Sequence, residues 1–176
     1  MDAGHHHMDQ VLPGLWIGDL HSAKDANTLV ANNVHSILTV MRGRFSIPDV
    51  CPLLLLILVH TSLFGLWPPQ SFFRHQIPLD DVEEADVLQH LIPSITIIQA
   101  ELDKGRGILV HCQAGTSGFP RIYVTILGHN MLCFAGRSAT IVAAYLMYSQ
   151  NVDTSTAIDL IRKVRPSVEY VLFASS

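Results

Sequence analysis

The sequence predicts an α/β domain with a central, mostly parallel sheet of four to five strands flanked by helices. Three observations lead there. Short β-rich runs alternate with segments whose apolar residues recur at helical spacing. One run, Gly107 to His111 (GILVH), is apolar without alternation, as a strand covered on both faces of a parallel sheet would be. The length of 176 residues suits one domain with a single core of useful size.

Each element follows from local pattern. Val11 to Asp19 (VLPGLWIGD) reads as the strand that enters the fold. Ser22 is a candidate N-cap, and Ala23, Ala26, Leu29 and Val30 follow at helical spacing until Asn32-Asn33 ends the run. His35 to Met41 (HSILTVM) and Phe73 to Leu79 (FRHQIPL) are strands. Val87, Leu91, Ile95, Ile98 and Leu102 mark one face of a helix, with Pro93 kinking it or starting its main segment and Gly105 as its C-cap. Ser138 to Ser149 is apolar on most faces and reads as a buried helix. Asp153 or Thr154 caps a last helix carrying Ala157, Leu160, Ile161 and Val164 at i, i+3, i+4 and i+7.

Composition narrows the functional classes. Nearly half of the residues are apolar (49%) and 15% are charged, which excludes a disordered chain. The formal net charge of −4 offers no basic surface for nucleic acid, so an anionic ligand requires a local positive site. Cys51, Cys112 and Cys133 fit no zinc or disulfide spacing, which favours a reducing, intracellular setting, cytoplasmic or nuclear. Residues 1–10, with the run His5-His6-His7, read as a disordered, solvated tail without a signal-peptide pattern.

The chemistry concentrates after the apolar strand. His111-Cys112-Gln113-Ala114-Gly115 leaves it directly, and Gly136-Arg137-Ser138-Ala139-Thr140 opens a helix. A strand, a glycine-containing loop and a helix N-terminus together make a cradle for an oxyanion. A cysteine at the start of such a loop is placed where its ionised, nucleophilic form is favoured. An arginine at the loop's end offers a planar fork for two phosphate oxygens. Taken alone, His111-Cys112 also fits a buried strand end. The functional reading therefore requires the two halves of the loop to meet.

These residues resemble the dual-specificity protein phosphatases of the cysteine-dependent protein tyrosine phosphatase superfamily. That family carries His-Cys, five residues, Arg, then Ser or Thr. Here Arg137 follows Cys112 by 25 positions, but without Gly118 to Gly136 the chain reads HCQAGTS-RSATIVAAYLMY. LPGLWIGDLHSAKDANTL, HSILTVM, IPLDDVEEADVLQHL and IRKVRPSVE match the family in order and spacing, most closely the fungal branch that usually carries a C-terminal zinc-binding domain. The resemblance covers Leu12 to Asp49, Phe72 to Ser117 and Arg137 to Glu169, and implies a phosphatase domain over 11–169.

The resemblance also implies roles. Cys112 is the nucleophile and Arg137 holds the phosphate with the loop residues Gln113, Ala114, Gly115, Thr116 and Ser117. Ser138 assists breakdown of the intermediate, and His111 orients the loop and tunes the thiolate. Asp81 is the general acid, with Asp80 as the near alternative. Without the family, one aspartate reads as a helix cap and the other as solvated. The implied reaction hydrolyses phosphotyrosine, with phosphoserine and phosphothreonine as further substrates, in a phosphoprotein partner. It needs no metal or cofactor, and oligomeric state is left open. The alternative function is a catalytically inactive phosphate-binding or scaffold protein. A third reading, a lipid or RNA 5′-phosphatase, fits less well because Gln113, Ala114 and Thr116 are neutral.

Two stretches interrupt the pattern. Residues 51–70 hold an apolar run over 53–67, with His60, Thr61 and Ser62 inside, short of the ~20 residues a spanning helix needs. Residues 118–136 part Ser117 from Arg137. Both read as insertions foreign to the fold, of the kind that translated intron sequence produces, and 170–176 as an aberrant end. The expectation is that this chain has little or no phosphatase activity while its uninterrupted version is active.

Overall fold

The computed structural model describes residues 8–43, 72–79, 87–113, 122–126, 129–133 and 136–168. The hairpin β1 (Met8–Leu12) and β2 (Leu15–Gly18) opens the fold, followed by two short helices, α1 (Leu20–Lys24) and α2 (Ala26–Ala31). Strands β3 (Val34–Val40) and β4 (Phe73–Ile77) come next, then helix α3 (Leu88–Asp103) and strand β5 (Gly107–His111). A second hairpin, β6 (Ile122–Ile126) and β7 (His129–Cys133), precedes helices α4 (Arg137–Gln150) and α5 (Thr154–Val164).

Five strands form the main sheet in the order β1-β2-β5-β3-β4. Only the β1–β2 pair is antiparallel, so the expected mostly parallel sheet is observed, with β5 at its centre. All five β5 residues are buried because both faces are covered. Ile108 and Val110 pack with Leu15, Ile17, Leu38 and Val40 beneath α3, α4 and α5, through Ile95, Ile98, Ile141, Ile158 and Ile161. Leu109 points to the other face, among Ala23, Ala26, Leu29, Val34, Ile37 and Phe72. Each buried Val, Leu, Ile or Phe among these contributes roughly 1.5–3 kcal/mol by leaving water. Helix α4 is buried from Arg137 to Met147, which explains its lack of a polar face.

Several boundaries differ from the sequence reading. The entering strand is a hairpin broken at Pro13-Gly14, and it starts at Met8, so residues 8–10 belong to the fold rather than to a tail. Asp9 accepts a hydrogen bond at 2.7 Å from the buried Arg165 guanidinium. The helix expected from Ala23 to Val30 divides at Asp25, which ends α1 and caps α2 by accepting from the N–H groups of Asn27 and Thr28. Asp19, not Ser22, is the first N-cap. Ser22 sits at N3 and completes a reciprocal capping box with it. Pro93 lies inside α3, and Lys104 is the C-cap ahead of Gly105 at φ +69°.

The start of the central strand has no room for a side chain. A Cβ on Gly107 would lie 2.3 Å from the Asn33 carbonyl oxygen. At this end of the sheet the buried Glu101 accepts from Ser36 Oγ at 2.5 Å and pairs with Lys104 at 3.0 Å and Arg106 at 3.2 Å. Burial opposes its ionisation, but the bonds from Ser36 and Lys104 and the nearby Arg106 charge hold the carboxyl below its usual range. The opposite end, where β2, β5, β3 and β4 all terminate, gathers Asp19, Cys112, Thr39 and Leu79. In open α/β sheets that end is where ligands bind.

Candidate active site

Helix α4 delivers its first turn to the end of β5. Ser138 Oγ donates to Cys112 Sγ at 3.3 Å, with both residues buried. The 24 residues between Cys112 and Arg137 therefore leave and return to one place. The β6–β7 hairpin supplies the reason. Its register pairs Ile122 with Cys133 through to Ile126 with His129, so the inserted segment folds back on itself between these residues.

The N-cap of α4 is Gly136, which provides no side-chain cap. The first-turn N–H groups of this 14-residue helix are therefore not met by a capping side chain, and they carry the positive end of its dipole. Arg137 is 8% exposed, and its Nη1 donates to the Leu79 carbonyl at 3.1 Å. Leu79 is the last described residue before Asp80 and Asp81, so the arginine is tied to the strand end that leads into the acid-bearing segment.

His111 is fully buried at the end of β5. Its Nδ1 lies 3.1 Å from the Cys112 carbonyl oxygen and its Nε2 lies 2.8 Å from Thr39 Oγ1. Desolvation pushes its pKa down to about 4, against smaller upward influences from the Cys112 carbonyl and the Asp19 charge. The ring is therefore neutral at physiological pH. The next carbonyl, that of Gln113, accepts from the Leu20 N–H at 3.3 Å.

A pH dependence follows from the histidine. Between pH 6.5 and about 4 the unfolded chain binds a proton at His111 that the folded chain refuses. Stability is complete above this window and falls as pH drops through it, by about 3 kcal/mol in all. Urea unfolding from pH 7.5 to 4 should show this loss, and H111N should lack most of it.

The structure thus brings Cys112, Ser138, His111 and Gln113 together and sets Arg137 at the base of the same helix turn. Ala114, Gly115, Thr116, Ser117, Asp80 and Asp81 lie outside the described residues, as does the whole of 51–70. Sequence reasoning missed three contributors. Thr39 shows only as one of two hydroxyls in a mostly apolar strand, and the Leu79 carbonyl and Leu20 N–H are backbone groups with no side-chain signature. Among the described residues no cluster of His, Cys, Asp or Glu could hold a metal ion, and no helix is long and apolar enough to cross a membrane.

No family model matches the chain. Its relatives are nevertheless consistent with one another. Dual specificity protein phosphatase 22 of Xenopus tropicalis is 27% identical over 158 residues, 90% of this chain and 56% of that protein. Human dual specificity protein phosphatase 13B is 25% identical over 160 residues, 90% of this chain and 65% of that protein. The crystal structure of DUSP15 superposes with a TM-score of 0.65 at 25% identity, covering 92% of this chain and 78% of that one. The chain is similar in sequence and fold to the dual-specificity phosphatases. The Yvh1 phosphatase domain from Chaetomium thermophilum shares this phosphatase fold, with a TM-score of 0.61 at 19% identity over 93% of this chain and 88% of that one. The chain spans only about 56–65% of the length of the two dual-specificity phosphatases aligned above.

Proposed function

We propose that this chain is a protein phosphatase domain that hydrolyses phosphotyrosine, with phosphoserine and phosphothreonine as additional substrates, through a cysteinyl-phosphate intermediate. The observation that carries the reading is the Ser138 hydroxyl at 3.3 Å from the Cys112 sulfur, across an insertion that separates them in sequence. Cys112 attacks phosphorus in line, forming an S–P bond as the P–O bond to the leaving oxygen breaks. Arg137 and the amide groups at the loop and helix start bind the equatorial oxygens, most strongly as charge develops on them. Asp81 gives its proton to the leaving oxygen and then takes one from the water that cleaves the S–P bond. Ser138 assists that second step, and His111 works behind the loop without touching substrate. The scheme uses no metal or organic cofactor.

The domain then extends to 169 and takes in residues 8–10 at its start, with 51–70 and 118–136 as insertions. Its partner is an intracellular phosphoprotein, in the cytoplasm or nucleus. The motif resemblance supports placement in the fungal branch. Acid quenching during hydrolysis of a phosphotyrosyl peptide should trap phosphate on Cys112, and its absence from an active enzyme would remove the scheme. Asp81→Asn should lower kcat about 100-fold while leaving the affinity for inorganic phosphate within about twofold. An unchanged kcat would shift the acid to Asp80. One observation favours the alternative of an inactive phosphate-binding scaffold, namely the 25-position spacing of Cys112 and Arg137.

A further inference from the structure

Strand β3 places a hydroxyl behind the catalytic loop. Thr39 lies directly across the β3–β5 pairing from His111 and is 6% exposed. The two contacts of the imidazole decide where its protons sit. Nδ1 faces the Cys112 carbonyl at 3.1 Å, and a carbonyl only accepts, so Nδ1 carries hydrogen. The neutral ring has one N–H, so Nε2 is an acceptor. The group 2.8 Å from Nε2 is the Thr39 hydroxyl, which must therefore donate. A doubly protonated ring would leave Nε2 with a donor's role, but burial holds the pKa at about 4, with the Asp19 carboxylate as the charged group acting on it.

The direction of the loop follows from this donor. In a trans peptide a carbonyl and the next N–H point to opposite sides. Drawing the Cys112 carbonyl back toward His111 turns the Gln113 N–H the other way. The Gln113 carbonyl is drawn back in turn by the Leu20 N–H at the start of α1. Two successive carbonyls are thus pinned at the point where the strand becomes the phosphate loop.

We propose that Thr39 is a positioning residue for this loop: its hydroxyl anchors the His111 ring at Nε2, so that Nδ1–H holds the Cys112 carbonyl and aims the Gln113 N–H at the bound phosphate. The proposal rests on the phosphatase reading of the site. Valine at position 39 keeps the shape but offers Nε2 a methyl group. The Cys112 carbonyl keeps the proton on Nδ1, but the ring loses the bond that fixes its orientation, so its hold on that carbonyl loosens.

The test uses the full chain with 15N-labelled histidine. In the wild type, the His111 shifts should show a protonated Nδ1 and an unprotonated Nε2. Thr39→Val should shift the Nε2 resonance as it loses its donor and speed exchange of the Nδ1–H, and Thr39→Ser should restore both. In parallel, protection of Cys112 from iodoacetamide by inorganic phosphate should need about tenfold more phosphate in T39V and be near normal in T39S. Thr39→Ala serves as the second variant should T39V lower the thermal midpoint. A wild-type Nε2 shift and Nδ1–H exchange together with wild-type phosphate protection in T39V or T39A would overturn the proposal. If phosphate fails to protect even the wild type, the phosphatase reading is what fails, and the His111 shifts and exchange alone decide the role of Thr39.

Discussion

Cys112→Ser should abolish phosphate-ester hydrolysis, by about 10⁴-fold or more in kcat. The serine is nearly isosteric and keeps the Ser138 contact available, so the pocket should survive. It lacks a group that ionises readily near neutral pH, and an alcohol is a poor attacking group without a dedicated base. The adjacent His111 is not free to act as that base, since both its nitrogens are engaged elsewhere. The variant should therefore bind inorganic phosphate with affinity close to wild type while turning over neither phosphotyrosyl nor phosphothreonyl peptide. A C112S protein that still hydrolyses either substrate at a tenth of the wild-type rate or more would mean that another group attacks phosphorus. The measurement belongs both in the chain as written and in the version without 118–136, where the signal is larger.

Removing residues 118–136 should raise kcat by about 100-fold, the scale expected when reacting groups are displaced by about 1 Å. The insertion lengthens the stretch of chain between the two halves of the site. It does not part the ends of the site, since Cys112 and Ser138 touch and the β6–β7 register explains how. Lengthening the connection from five residues to 24 costs the fold only about 1 kcal/mol of closure entropy, so both versions should unfold at similar denaturant concentrations. What the insertion changes is the covalent continuity between Ser117 and Arg137, along which a phosphate would find successive main-chain donors. A pocket with its thiol and helix in place but its donor ring opened should bind substrate weakly and react slowly. Equal kcat values for the two versions would show that the hairpin leaves the donors where catalysis needs them.

The scaffold around the site is legible in the sequence for physical reasons. The unbroken apolar run of β5 has one explanation in an α/β pattern, burial on both faces, and the structure puts it at the centre of the sheet. The apolar surround of α4 likewise announces a helix with nowhere to face water. Less legible are the features decided by single backbone groups. Pro13-Gly14 interrupts a stretch that reads as one strand, and the dipeptide was the available signal. Asp25 splits a helix whose apolar spacing runs straight through it, because its carboxylate offers two N–H groups a better partner than continuation does. Arg137 reaches a carbonyl on Leu79, and no residue pattern can encode an acceptor that every residue possesses. Thr39 is intermediate. Its hydroxyl is visible as an anomaly in β3, but its purpose depends on which strand lies alongside.

The ion pair between Asp9 and Arg165 joins positions 156 apart in the chain and clasps the first strand to the end of the last helix. Any recombinant version trimmed to begin at Val11, where the resemblance to relatives makes trimming tempting, discards the carboxylate that a nearly enclosed guanidinium depends on. It also strips the edge strand of three of its four pairings with β2. Such a shortened protein would misrepresent the natural one, and poor yield or low activity from it would speak about the cut rather than the catalyst.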